Sequence, residues 1–281
     1  MKSKRMASTK LTASRLPALF AACLIAHLAS QASAAEPSAK PVFLYSRHFN
    51  AQGEGRYLAD GTYKEVLTRL RDTFEVRVHS EAPTDKSLAG VAVVLISNPS
   101  DKAVGDNQPP PHVGPTDIAA LTRFVERGGG LIVMGNQENH NLEIEDTNKL
   151  LARFGLGFTN LYTDAKQLVI AKDTPIIGGL RWAYYTGNLA TVDAKHPAKP
   201  RSLVPNDLNR KPLKGTRDQA GPLLAVAEPG RGRVVIVTDA GWITDASLSG
   251  AGVGDVAIKE QDNFEIFRRL ATWAAAGAAK R

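Results

Sequence analysis

The chain has 281 residues, 43% of them hydrophobic and 22% charged, enough apolar material for a full core. Its 35 Lys and Arg against 28 Asp and Glu give a formal charge of +7. Five basic residues and no acidic one precede Ala35, so the balance beyond that point is 30 against 28, which excludes the electrostatic footprint of a nucleic-acid binder. Cys23 is the single cysteine, so disulfides and thiolate metal sites are excluded from the remainder.

Residues 1–34 have the layout of an export signal. Lys2, Lys4, Arg5, Lys10 and Arg15 form a positive leading region, followed by an apolar stretch from Leu16 to Leu28 that Pro17 and His27 interrupt. Ala32-Ser33-Ala34 places small residues at −3 and −1, so cleavage is predicted after Ala34, which places the protein in the periplasm or outside the cell. The apolar run is shorter than the roughly 20 residues a spanning helix needs, and no stable membrane span is expected. A lipoprotein reading would modify Cys23, but Phe20 stands where leucine is usual.

Residues 35–41 read as a short disordered leader and 42–278 as one domain with a loop-rich insertion around 159–220. Val42 to Tyr45 is the first predicted strand, followed by a polar loop to Asp60. Tyr63, Val66, Leu67 and Leu70 share a helical face, and Phe74, Val76 and Val78 alternate as a strand. Val91 to Ile96 is an unbroken apolar run, as in a central strand covered on both faces.

A Pro- and Asn-rich loop then leads to a helix with Ile118, Leu121, Phe124 and Val125 on one face. Gly128-Gly129-Gly130 should let that helix end through positive φ and feed the strand Leu131 to Met134. A helix from Ile144 to Phe154, stopped at Gly155, comes next. Leu168 to Ala171, Trp182 to Tyr185 and Leu203 are short strand candidates of unreadable order, and the basic stretch from Lys195 to Lys214 reads as a solvated loop. Leu223 to Ala227 and Val234 to Val237 flank Pro229-Gly230-Arg231-Gly232 as a β-hairpin, and Asn263 to Ala275 closes the chain as an amphipathic helix. This alternation predicts an α/β fold, doubly wound and mostly parallel.

Three segments carry a resemblance: Ile118 to Gly135 with its Gly128-Gly129-Gly130, Asp146 to Leu156, and Gly230 to Gly241 followed by Asp262-Asn263. Together they resemble the class I glutamine amidotransferase-like superfamily, flavodoxin-like in fold, and in particular a secreted branch related to domains of gliding-motility and intraflagellar-transport proteins. The resemblance implies a crevice at the carboxyl ends of the strands, which here carry Tyr45 to His48, Ser97-Asn98, Gly135 to His140 and Thr238-Asp239.

The superfamily's glutaminase chemistry needs a cysteine at a strand-to-helix elbow, and beyond Cys23 there is none. A serine in its place would call for G-x-S-x-G, whereas Ser97-Asn98-Pro99 lacks those glycines. The candidate catalytic residues are therefore Glu138, His140 and Asp239, a carboxylate–imidazole–carboxylate set able to share a proton or hold a metal. Their plainer alternative is a surface loop whose side chains make turn hydrogen bonds. Arg47, His48, Asn98, Asn136, Gln137 and Trp242 are the ligand-binding candidates, with Trp242 either a stacking wall or a core residue. Trp182, Tyr184 and Tyr185 form either a sugar-stacking face or edge-strand packing.

No cofactor or metal is assigned. The expected function is non-catalytic binding of a small molecule, a glycan or an envelope protein partner. The alternatives are a hydrolase or metal-assisted enzyme on a carbohydrate derivative, and a structural subunit of an envelope transport assembly.

Overall fold

The computed structural model describes residues 39–278 except 51–55, 101, 104, 107, 138–139, 165, 207, 210, 214–217 and 253–255. The expected signal segment with Cys23, the leader before residue 39 and Glu138 lie outside the described residues.

The first half alternates strand and helix as the apolar periodicity predicts. It runs β1 (Val42–Ser46), α1 (Lys64–Leu70), β2 (Glu75–His79), β3 (Val91–Ser97), α2 (Pro115–Glu126), β4 (Gly130–Met134) and α3 (Glu145–Leu151). The predicted helix to Phe154 tightens into a 3-10 turn at Ala152–Phe154 and stops at Gly155, whose φ is 71°. The second half brings β5 (Leu156–Phe158), β6 (Lys166–Val169), β7 (Arg181–Tyr184), β8 (Ala190–Val192) and β9 (Arg201–Pro205). It ends with β10 (Pro222–Ala227), β11 (Arg233–Val237), α4 (Asp245–Leu248) and α5 (Asn263–Ala275).

Seven strands form the main sheet in the order β2-β1-β3-β4-β11-β10-β9. The first five are parallel, β10 adds antiparallel to β11, and β9 adds antiparallel to β10. The parallel part has the strand order of flavodoxin-like folds, so the α/β expectation holds. β9 bears out Leu203 as a strand position and corrects the reading of the basic stretch from Lys195 to Lys214 as a loop, because Arg201, Ser202, Val204 and Pro205 pair with β10 while Leu203 and Val204 are buried. The remaining insertion strands form two small antiparallel sheets, β5 with β8 and β6 with β7.

Both faces of the sheet are apolar because alternate residues serve opposite sides. Phe43, Val93, Ile132 and Val235 pack with α1 and α5, where Val66, Leu70, Phe267 and Leu270 are buried. Leu44, Val94, Val133 and Ile236 pack with α2 and α3 through Leu121, Phe124 and Leu150. β2 is an edge strand, and its Glu75 and Arg77 are exposed and paired at 2.7 Å.

The three glycines after α2 do not act alike. Only Gly128 takes positive φ, at 103°, whereas Gly129 and Gly130 are required by proximity. A Cβ on Gly129 would lie 2.4 Å from the Phe124 ring, and one on Gly130 would lie 2.6 Å from the carbonyl of Ala274 in α5. Among the described residues no helix is long and apolar enough to cross a membrane.

Candidate functional site

The carboxyl ends of β1, β3, β4 and β11 open toward loops whose backbone groups no longer have sheet partners, and side-chain amides take over that pairing. Asn98 follows β3 with φ 46°, a left-handed conformation that asparagine tolerates better than most residues. A sharp turn therefore forms there without the glycines that the elbow pattern calls for. The Asn98 side chain accepts from Asn136 N at 2.9 Å and donates to His140 O at 3.0 Å. Asn50 Nδ2 donates to the carbonyls of Ser97 and Asn98. Ser97 Oγ is buried 2.7 Å from the Tyr63 hydroxyl, so it meets a phenol and not the imidazole that would activate it.

Asn136, directly after β4 and Gly135, is the hub of this network. Its Oδ1 accepts from Ala240 N at 2.6 Å and its Nδ2 donates to the Tyr57 hydroxyl at 2.7 Å. Its carbonyl accepts from Asn188 Nδ2 at 3.2 Å. One residue thus ties the loops after β1, β3, β4 and β11 to the insertion, and its role is to position the walls of the site.

Those walls enclose a cavity of about 410 Å³ bordered by Arg56, Tyr57, Asn136, His140, Tyr185 and Asp239. Asp239 leaves β11 two residues after its last strand position and is 2% exposed. Its carboxylate accepts from Gly241 N at 2.6 Å and from Tyr185 N at 3.4 Å. Burial pushes its pKa up to about 7, and the two backbone N–H groups offset only part of that cost. Burial, and to a smaller degree the Arg56 charge, hold the His140 imidazole below its ordinary pKa. The Tyr185 phenol is raised, chiefly by burial, and the Ser247 hydroxyl beside it offsets part of that cost. Such a wall offers a carboxyl group able to accept or donate near neutral pH, with phenol and amide groups beside it.

The predicted residues divide. Asn136, His140 and Asp239 border this cavity, and Asn98 braces it from behind. Among the described residues no third metal-ligating side chain joins His140 and Asp239; the one such group is His112, Glu143 and Asp146, elsewhere. Glu143 is there occupied in accepting from the N–H groups of Asp146 and Thr147 at the start of α3.

Arg47 and His48 do not reach the Asp239 crevice; they border a separate cavity over the ends of β1 and β2. Gln137 is 3% exposed with both amide atoms unpaired. Trp242 is corrected from stacking wall to core. It is fully buried, with ring centroids 5.5 Å from Trp182 and 5.9 Å from Phe267 in edge-on contacts. Trp182 and Tyr184 are likewise fully buried, which leaves Tyr185 as the one member of that aromatic trio at the cavity.

Sequence reasoning missed Arg56, Tyr57 and Asn188. Tyr57 sits at φ 65°, a conformation that no residue pattern around it announces.

A comparison with protein families returns no match, and neither does one with curated proteins. Solved structures do match. The N-terminal domain of mmIFT52 superposes with a TM-score of 0.61 at 14% identity, covering 83% of this chain and 97% of that domain. A ThuA-like protein from Bacteroides uniformis matches with a TM-score of 0.54 at 10% identity, over 85% and 93% of the two chains. A cytoplasmic protein from Salmonella typhimurium matches with a TM-score of 0.52 at 10% identity, over 83% and 98%. At these identities the likeness is one of fold alone, in keeping with the α/β, flavodoxin-like strand order.

Proposed function

We propose that this chain is a secreted, periplasmic binding domain, amidotransferase-like in fold, whose crevice takes a small polyhydroxylated molecule such as a glycan fragment. One observation carries the reading: Asp239 is buried in the cavity wall with backbone N–H groups as its hydrogen-bond partners and, among the described residues, no cation paired with it. A carboxyl group so placed supplies a donor or an acceptor to a neutral hydroxyl, and Tyr57 and Tyr185 supply ring faces and phenols beside it. A ligand carrying its own negative charge at that point would be repelled whenever Asp239 is ionised. The absence of cysteine beyond Cys23, with Ser97 engaged by Tyr63, supports binding without amidotransferase chemistry.

The test expresses the full chain in a bacterium and screens the recovered protein against neutral mono- and oligosaccharides by thermal shift. The expected product begins at Ala35 in the periplasmic fraction, and at a hundredfold excess over Kd a ligand should add about 2.7 kcal/mol of stability. Thr186→Trp, which fills the cavity from its wall, should abolish the response. An uncleaved cytoplasmic product would refute the secretion reading. A sugar response unchanged in the tryptophan variant, or none across the panel, would refute the binding reading.

A second reading rests on the value near 7 for Asp239, which suits a general acid or base acting with His140 at the same cavity. It predicts turnover of a bound glycan that Asp239→Asn abolishes while binding persists; binding without turnover would leave the first reading alone.

A further inference from the structure

The ends of β1 and β2 concentrate polar atoms that no described residue satisfies. Ser46 and His79 are in register across the strand pair, and Ser46 Oγ and His79 Nε2 are both buried without a hydrogen-bond partner. Arg47 follows Ser46, and its backbone N donates to His79 O at 2.7 Å. Arg47 Nε is also buried without an acceptor, and among the described residues no carboxylate pairs with this guanidinium. Ser46 Oγ and His79 Nε2 can donate or accept, whereas Arg47 Nε can only donate, and a buried donor left unpaired is rare in folded proteins and points to a missing acceptor.

A cavity of about 460 Å³ opens at this place, bordered by Arg47, His48, Asn50, Ser80 and the run Pro109 to Pro111. The His48 ring donates from Nδ1 to Ser80 O at 3.3 Å and stands edge-on to Phe49 at 4.9 Å, which fixes its orientation. Asn50 Nδ2 donates to the carbonyls of Ser97 and Asn98, and its neutral amide supplies no counter-charge to the arginine. The described lining holds no acidic side chain, the reverse of the Asp239 crevice. A guanidinium with no internal counter-ion, in a concave site beside an oriented imidazole, matches an anionic group.

We propose that the cavity formed by Arg47, His48, Ser80 and Pro109 to Pro111 binds the anionic group, phosphate or carboxylate, of a small molecule, with Arg47 as its cation. This site is separate from the Asp239 cavity and does not depend on what that cavity takes.

The test titrates the full chain with inorganic phosphate, glucose 6-phosphate, gluconate and glucose, against sodium chloride at matched ionic strength, by calorimetry and thermal shift. At least one anion should bind and stabilise where glucose and chloride do not, and the arm that responds separates phosphate from carboxylate. Arg47→Gln should weaken that binding at least about tenfold, the loss expected for one charge-assisted hydrogen bond. Gln108→Trp, an exposed position on the facing wall, should block the site without touching the strand ends, so it serves where Arg47→Gln folds poorly. Stabilisation by no anion, or affinity unchanged in both variants, would overturn the proposal.

Discussion

At the amino ends of β4 and β11 the protein is packed backbone against backbone. Gly130 lies beneath the Ala274 carbonyl of α5, and a Cβ on Gly232 would come 2.1 Å from the Val125 carbonyl of α2. At the carboxyl ends of the same strands the chain spreads apart, and Asn50, Asn98, Asn136 and Asn188 satisfy the loop backbone through their side chains. The first end is closed by residues that have no side chain, the second is held open by residues whose side chains imitate peptide groups. The cavities at Asp239 and at Arg47 both lie at the second, open end of the sheet.

The comparison breaks most visibly at the closed end. Gly130→Val places branched carbons where 2.6 Å separates Cβ from backbone, and should cost more than about 4 kcal/mol in urea denaturation. A loss below 1 kcal/mol would show that the helix–sheet contact has slack.

At the open end, Asp239 gives a pH signature of fixed sign. Its folded pKa of about 7 stands above its ordinary value of 3.8, so the native state holds a proton that the unfolded chain releases between those values. Stability contributed by this group is therefore full at low pH and declines as pH rises from about 4 to about 7, by as much as roughly 4 kcal/mol. Asp239→Asn should remove that decline, read as the difference between two denaturation series across pH. Parallel curves would place Asp239 in a more polar setting.

Asn136→Ala should have the smallest effect of the three, about 2–3 kcal/mol, because it leaves Ala240 N–H and the Tyr57 hydroxyl without their partner. Its sharper readout is binding at the Asp239 cavity, which should weaken, while response to anions at Arg47 stays intact.

The same division between ends explains what could be read from sequence. β3, β4, α2 and α5 were legible because apolar period and helix-stop glycines are local signals, and Asn263–Ala275 matches its predicted span. The three-residue strands β5 and β8 were not, since Leu156–Phe158 and Ala190–Val192 acquire their identity only by pairing across more than thirty intervening residues. In the site, His140 and Asp239 were visible as chemistry at strand ends. Tyr57 was hidden because its left-handed backbone depends on Thr62 Oγ1, which accepts from its N–H at 2.7 Å. Trp242 misled because a tryptophan three residues beyond a crevice carboxylate reads the same whether it faces ligand or core. The burial of α5 against it decides the matter.

The outer edge of β2 carries a last consequence. An edge strand with free peptide groups is a template on which another chain can add a strand. Here the paired Glu75 and Arg77 project from that edge with both side chains half exposed, so an incoming strand must strip water from two charges before it can dock. The sheet is thereby insulated against edge-to-edge polymerisation on this side, and Glu75→Val with Arg77→Val should raise self-association.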